Sequence, residues 1–181
     1  MAATVVINEW NGNSSKTDKT SSTIRFKGAD NATVDTNDPL TIPTSNRTYS
    51  FEKWTRLAIT GTPPSQRINN LKFYLDGTNG FDSASGFVDL WGEIAASGTF
   101  RSAAAAVTTN ATPLGGSGSK SMTNAFTFTS GGALSLSSAA ETFSGSGVDI
   151  GLFSVFVMGV EPSATQGTLT AETGTWSYDE V

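Results

Sequence analysis

The sequence predicts an all-β, antiparallel β-sandwich, jelly-roll-like, folded as one domain over residues 1–181 with at most one short helix. Three observations lead there. Short runs of alternating apolar and polar residues recur along the chain, each closed by turn chemistry, as half-buried strands require. Ser, Thr, Gly and Asn fill 79 of 181 positions, supplying β-branched Thr to strands and Gly and Asn to turns. Eleven Phe and four Trp are spread along most of the chain. Each buried large apolar side chain contributes roughly 1.5–3 kcal/mol, so a thin two-layer core can form although Leu, Ile, Val and Phe total only 38 residues.

The expected strands are 4–10, 23–27, 32–35, 40–42, 49–60, 68–75, 87–94, 124–129, 133–137, 150–160 and 167–178. In 23–27, Ile24 and Phe26 share one face and Arg25 and Lys27 the other. Leu71, Phe73 and Leu75 repeat that parity. From Leu152 to Val160 the chain is apolar on both faces, as in a strand buried on both sides; its outer face is covered by the fold or by a partner. Around Gly131 and Gly132, a three-residue turn pairs Phe128 with Leu134 and Phe126 with Leu136, keeping both pairs on one face. Between Ser97 and Val107 the chain reads either as a two-turn helix capped by Ser97 or Thr99 or as a close-packed strand. The polar stretch 11–22 reads as a long loop, 1–22 as an N-terminal segment that can extend, and 108–121, with Pro113 and three Gly, as the flexible loop.

Composition narrows the chemistry. The chain has no His and no Cys, which removes the side chains that move protons near neutral pH and that supply thiolates. Net charge is −5, and no Lys/Arg cluster offers a nucleic acid an electrostatic footprint. No apolar run approaches bilayer-spanning length, and residues 1–9 do not read as a secretion signal. Four Asn-x-Ser/Thr sequons, at Asn13, Asn31, Asn46 and Asn110, reflect the abundance of Thr and Ser. The expectation is a protein that binds or builds without catalysis, cofactor or metal.

Several constellations compete with that expectation. Asp76, Asn79 and Asp82 form a loose calcium-like loop, but the closing bidentate Glu and the usual spacing are missing; Asp30, Asp35 and Asp38 punctuate turns. Two carboxylates suffice for glycoside cleavage, yet the acidic residues fall in turns and on polar faces. Ser119 and Lys120 lie in a loop unsuited to preorganised catalysis. Trp10, Trp54, Trp91 and Trp176 could stack on sugars, or pack between sheets. Alternation breaks between Lys53 and Trp54: a bulge would put Trp54 on the face of Phe51 and Leu57, whereas without one Trp54 points outward and marks a contact surface. The expected partner contacts are Val5, Ile7 and Trp10 near the N-terminus and the aromatics Trp54 and Trp91.

Segments Val6-Ile7-Asn8-Glu9-Trp10-Asn11-Gly12, Ile24-Arg25-Phe26-Lys27, Asp30-Asn31-Ala32-Thr33-Val34-Asp35, 49–57 and Asn70-Leu71-Lys72-Phe73-Tyr74-Leu75-Asp76-Gly77 together resemble the small β-rich virion proteins of tailed bacteriophages, the group that includes capsid decoration (cement) proteins. That resemblance implies a sandwich subunit on the capsid exterior, assembled in the bacterial cytoplasm. It implies contact with the major capsid protein, commonly as a trimer. Tail, neck or baseplate components share the same composition, and a carbohydrate-binding sandwich module is the alternative of a different class.

Overall fold

The computed structural model describes residues 3–61, 67–81, 88–100, 108–109 and 122–181. Its strands are β1 (Val5–Asn11), β2 (Ser15–Asp18), β3 (Arg47–Tyr49), β4 (Lys53–Ile59), β5 (Arg67–Tyr74), β6 (Val88–Ala95), β7 (Thr108–Thr109), β8 (Thr123–Asn124), β9 (Leu134–Ser135), β10 (Phe143–Ser144), β11 (Val148–Val160) and β12 (Thr175–Glu180). The described helical structure is one 3-10 turn, Ala125–Thr127. All pairings are antiparallel, and two sheets pack face to face: the all-β sandwich that the alternation predicts.

The larger sheet is centred on β11. One edge of β11 carries β4 and, further along, β3; β1 and β2 lie outside β4, and β7 lies outside β3. The opposite edge carries β6, then β8. In the smaller sheet β5 has β12 on one edge and β9 and β10 on the other. Leu57, Ile59, Phe156, Met158 and Val160 from the large sheet meet Ile68, Leu71, Phe73 and Leu75 from the small one.

β11 is buried on both faces, as its sequence requires. Phe153, Val155 and Val157 turn away from the small sheet into a second cluster with Tyr49, Trp54, Trp91 and Met122, closed by Trp10, Phe51 and Phe100. The covering is thus intramolecular. A bulge in β11 sets residues 151–153 opposite the single Arg56 and preserves parity: Ile150 pairs with Leu57, Ser154 with Thr55, and both stay on the face of the between-sheet core. Gly151 makes this possible, with φ of +65° and no room for a Cβ, which would sit 2.7 Å from the Leu136 carbonyl oxygen.

Sequence and structure part at several elements. Residues 23–27, 32–35 and 40–42 form no strands; they belong to an irregular crossing that runs from Lys19 to Asn46. Lys27 points inward, against the alternation read there, because the side-chain oxygens of Asn31 and Asp35 receive its ammonium. The expected 126–136 hairpin is absent. Thr123–Asn124 pairs with β6 and Leu134–Ser135 with β5, so the segment crosses from one sheet to the other. Within 11–22, β2 forms a hairpin with β1, its four residues all exposed and without an apolar signal. Thr108 and Thr109, placed in a flexible loop by sequence, pair with Thr48 and Arg47. Residues 101–107 and 110–121 lie outside the described residues, as does most of the 97–107 helix-or-strand expectation.

Candidate functional site

The five expected contact residues do not form one open surface. Val5 and Ile7 share the inward parity of β1 and pack, half-buried, against the core between the sheets. Trp10, on the opposite face, is half-buried against Phe100 and Phe153, with Lys16 Nζ 4.5 Å from its ring centroid. The readings of Trp54 and Trp91 as exposed contacts are corrected: Trp54 is 0% and Trp91 8% exposed. The Trp54 ring packs edge-on against Phe100 and Phe153, and its Nε1 donates to Glu52 Oε2 at 2.9 Å. Trp91 lies against Tyr49, with the Arg47 guanidinium 4.6 Å from its ring centroid. Burial pushes the Tyr49 phenol upward, against the opposing pull of the Arg47 hydrogen bond and charge.

Trp54 also resolves the broken alternation of its strand. No bulge occurs between Lys53 and Trp54; instead Lys53 itself takes the inward position. Trp54 shares a cluster with Phe51, while Leu57 faces the other way. The Trp rings therefore make no row for stacking on a sugar: Trp176 is half-buried against Phe73 and donates to Ser154 Oγ at 3.3 Å.

The densest polar constellation lies where Lys53 turns inward. Glu9 and Asn11 continue the inward parity of Val5 and Ile7 on β1, and Lys53 and Thr55 face the same way on β4. The 19–46 crossing closes over them. Phe26, Leu40 and Ile42 join the core, while its backbone and Asx side chains cap three buried lysines. Lys53 Nζ lies 3.0 Å from Glu9 Oε1 and donates to the Asn31 carbonyl at 2.8 Å. Lys19 Nζ is 3.8 Å from Glu9 Oε2 and donates to the Ala32 carbonyl. Lys27 Nζ donates to Asn31 Oδ1 at 3.0 Å and to Asp35 Oδ1 at 2.8 Å. That contact with Lys27 holds the Asp35 carboxyl below its ordinary value.

A second set of bonds seats Asn11. Its Nδ2 donates to Asp30 Oδ1 at 2.9 Å and to Glu9 Oε1 at 3.3 Å, while Gly12 N donates to Asp30 Oδ2 at 2.9 Å. Three ammonium groups thus meet the carboxylates of Glu9 and Asp35, and Asp30 is tied to the cluster through Asn11 and Gly12. Burying charge is tolerable only when it is paired and hydrogen-bonded in this way. The sequence held one signal for it: an acid and a base at apolar-parity positions of two strands.

The remaining sequence candidates resolve as turn chemistry or as open surface. Asp76 Oδ1 accepts from Thr78 N at 2.7 Å and Asn79 Nδ2 donates to the Val88 carbonyl at 2.7 Å; Asp82, Ser119 and Lys120 lie outside the described residues. No group of three potential metal-ligating side chains occurs among the described residues. A groove of about 270 Å³ is lined by Phe81, Val88, Thr165, Gln166, Gly167, Thr168 and Leu169, none of them ionisable. Among the described residues no helix is long and apolar enough to cross a membrane. Compared with protein-family models, with curated proteins and with solved structures, the chain matches none.

Proposed function

We propose that this chain is a non-enzymatic structural protein of a tailed-phage virion, a decoration subunit that binds the major capsid protein through protein–protein contacts. The observation that carries the structural half of this reading is the fastening of the 19–46 crossing. Three buried lysines are spent on holding an irregular loop still, and a loop ordered in advance loses less entropy on docking. The resemblance to decoration proteins supplies the virion half. The loop presents Val34, 49% exposed, at its outer turn. That residue and the half-buried Trp10 are the apolar side chains we assign to contact, in place of Trp54 and Trp91. A homo-oligomer, with a trimer favoured, completes the proposal.

The test is quantitative mass spectrometry of purified particles, combined with imaging of shells to which the recombinant chain has been added back. Copy numbers commensurate with the shell and added density on its exterior are expected. A copy number commensurate with the tail assigns the chain to the tail, neck or baseplate instead. Absence from the particle ends the virion reading.

A further inference from the structure

We infer that Lys53 and Asn11 are the two partners of an intramolecular isopeptide bond whose formation is promoted by Glu9. The inference rests on the cluster geometry and is independent of the docking partner. Extending the β1–β4 register one step beyond the Trp10–Trp54 pair sets Asn11 opposite Lys53 on the inward face. Directly opposed residues on antiparallel strands have Cβ atoms about 4.5–5.5 Å apart, within easy reach of a lysine side chain. Glu9 Oε1 touches both nitrogens concerned, Lys53 Nζ at 3.0 Å and Asn11 Nδ2 at 3.3 Å. All three side chains belong to buried residues, so water is excluded from a reaction it would otherwise divert.

The chemistry needs nothing that the site lacks. The Lys53 ammonium passes a proton to Glu9 through their hydrogen bond, turning a buried ion pair into a neutral amine and a neutral acid, which a low-dielectric site tolerates. The amine attacks Asn11 Cγ, forming the C–N bond and a tetrahedral adduct with its negative charge on Oδ1. Glu9 hands its proton to Nδ2 and takes one from Nζ, acting as acid and base in turn. The Cγ–Nδ2 bond breaks, and the departing ammonia carries away the last proton as ammonium. Glu9 is left as carboxylate, and Lys19, 3.8 Å from its Oε2, remains as counter-charge once Lys53 is neutral.

Two neighbouring arrangements show why this pair is singled out. Lys27 donates to Asn31 Oδ1, so its nitrogen faces the amide oxygen and not a shared proton carrier. At Asn11-Gly12, the competing attack by the Gly12 nitrogen is restrained because Asp30 binds both Gly12 N and Asn11 Nδ2. Holding the partners so closely substitutes for concentration. The product would tie β1 to β4 and enclose the whole 19–46 crossing in a covalent ring.

Intact-mass spectrometry of the full chain, held at neutral pH and then digested, tests the bond. The expected mass is one ammonia below that of the sequence, with a branched peptide joining the segments that contain Asn11 and Lys53. Glu9→Gln, shown by near-UV circular dichroism to keep native aromatic packing, is expected to retain the full mass; Asn11→Ala is expected to do the same. A wild-type chain of full mass overturns the inference. So does an ammonia loss that hydroxylamine converts into cleavage between Asn11 and Gly12, which marks a backbone cyclic imide. A link that forms equally fast in folded Glu9→Gln overturns the part given to Glu9.

Discussion

Arg56 Nε donates to the Gly151 carbonyl oxygen at 3.0 Å, so a cation on β4 serves the backbone left unpaired by the bulge of β11. The same guanidinium reaches the carbonyl of Ser97 at 3.2 Å and lies 5.3 Å from the centroid of the Phe153 ring. Burial lowers its tendency to hold a proton, though an arginine remains charged throughout the working range. Arg56→Met keeps the stem and removes every donor. Hydrogen bonds to charged groups contribute about 1.5–3 kcal/mol, and a loss of that size is expected in urea unfolding. A change under about 0.5 kcal/mol, ordinary for a surface substitution, would show that the bulge does not depend on Arg56.

Gly151 tests the same bulge from the other side. A methyl there would meet Leu71 Cδ1 at 2.6 Å and the Leu136 carbonyl oxygen at 2.7 Å, with the backbone at φ +65°. The left-handed conformation alone costs a non-glycine residue roughly 1–2 kcal/mol, and the backbone clash adds to it. Gly151→Ala should therefore lower the melting temperature more than Gly131→Ala, where a Cβ meets nothing within 4 Å. Equal shifts in the two variants would contradict this.

How much of this was legible beforehand follows from where partners lie. β11 could be read because both of its faces are apolar, and β5 because Leu71, Phe73 and Leu75 keep strict parity. The 19–46 crossing could not. Its apolar residues Phe26, Leu40 and Ile42 do enter the core, so they raised the signal expected of strands. The crossing is held, however, by Lys19, Lys27 and Lys53, which a rule placing charges outside assigns to solvent. The hairpin at 126–136 misled for a related reason: parity identifies which residues face a core, not which sheet supplies it. Trp54 was unreadable until Lys53 was known to be buried, because an inward lysine restores the alternation that seemed broken.

Trp54 now carries a prediction opposite to that of a contact residue. It is fully buried and packs against Phe100 and Phe153, and truncating a buried aromatic to Ala typically costs about 3–5 kcal/mol. Trp54→Ala should unfold at markedly lower denaturant and lose near-UV ellipticity, with any effect on binding secondary. Unchanged stability combined with lost binding would restore Trp54 to the surface.

Acid should loosen the 19–46 crossing through Asp35. Its hydrogen bond from Lys27 depresses the folded-state value below the ordinary 3.8, so the folded chain releases this proton more readily than the unfolded one. The associated stability is present above pH 3.8 and disappears as pH falls through the depressed folded value. Asp35→Asn should be less stable than the parent near neutrality and should converge with it in strong acid. Parallel stability curves across that window would show that the pairing contributes nothing.

Lys27 concentrates this behaviour in one side chain, and its removal should act locally. Its Nζ joins Asn31 to Asp35, while its carbonyl accepts from Phe51 N at 3.0 Å and the next residue, Gly28, donates to the Asp38 carbonyl at 2.8 Å. Lys27→Met retains most of the apolar stem but leaves both side-chain oxygens without the ammonium. Local opening can proceed at a free energy well below that of global unfolding. Amide exchange should therefore accelerate at Gly28 and Phe51, and proteases should cut within 28–39, while amides at the β6–β11 pairing keep their protection. Uniform acceleration across both regions would mean that the crossing and the sandwich unfold as one unit, and the lysine would then stabilise the whole fold rather than fasten a loop.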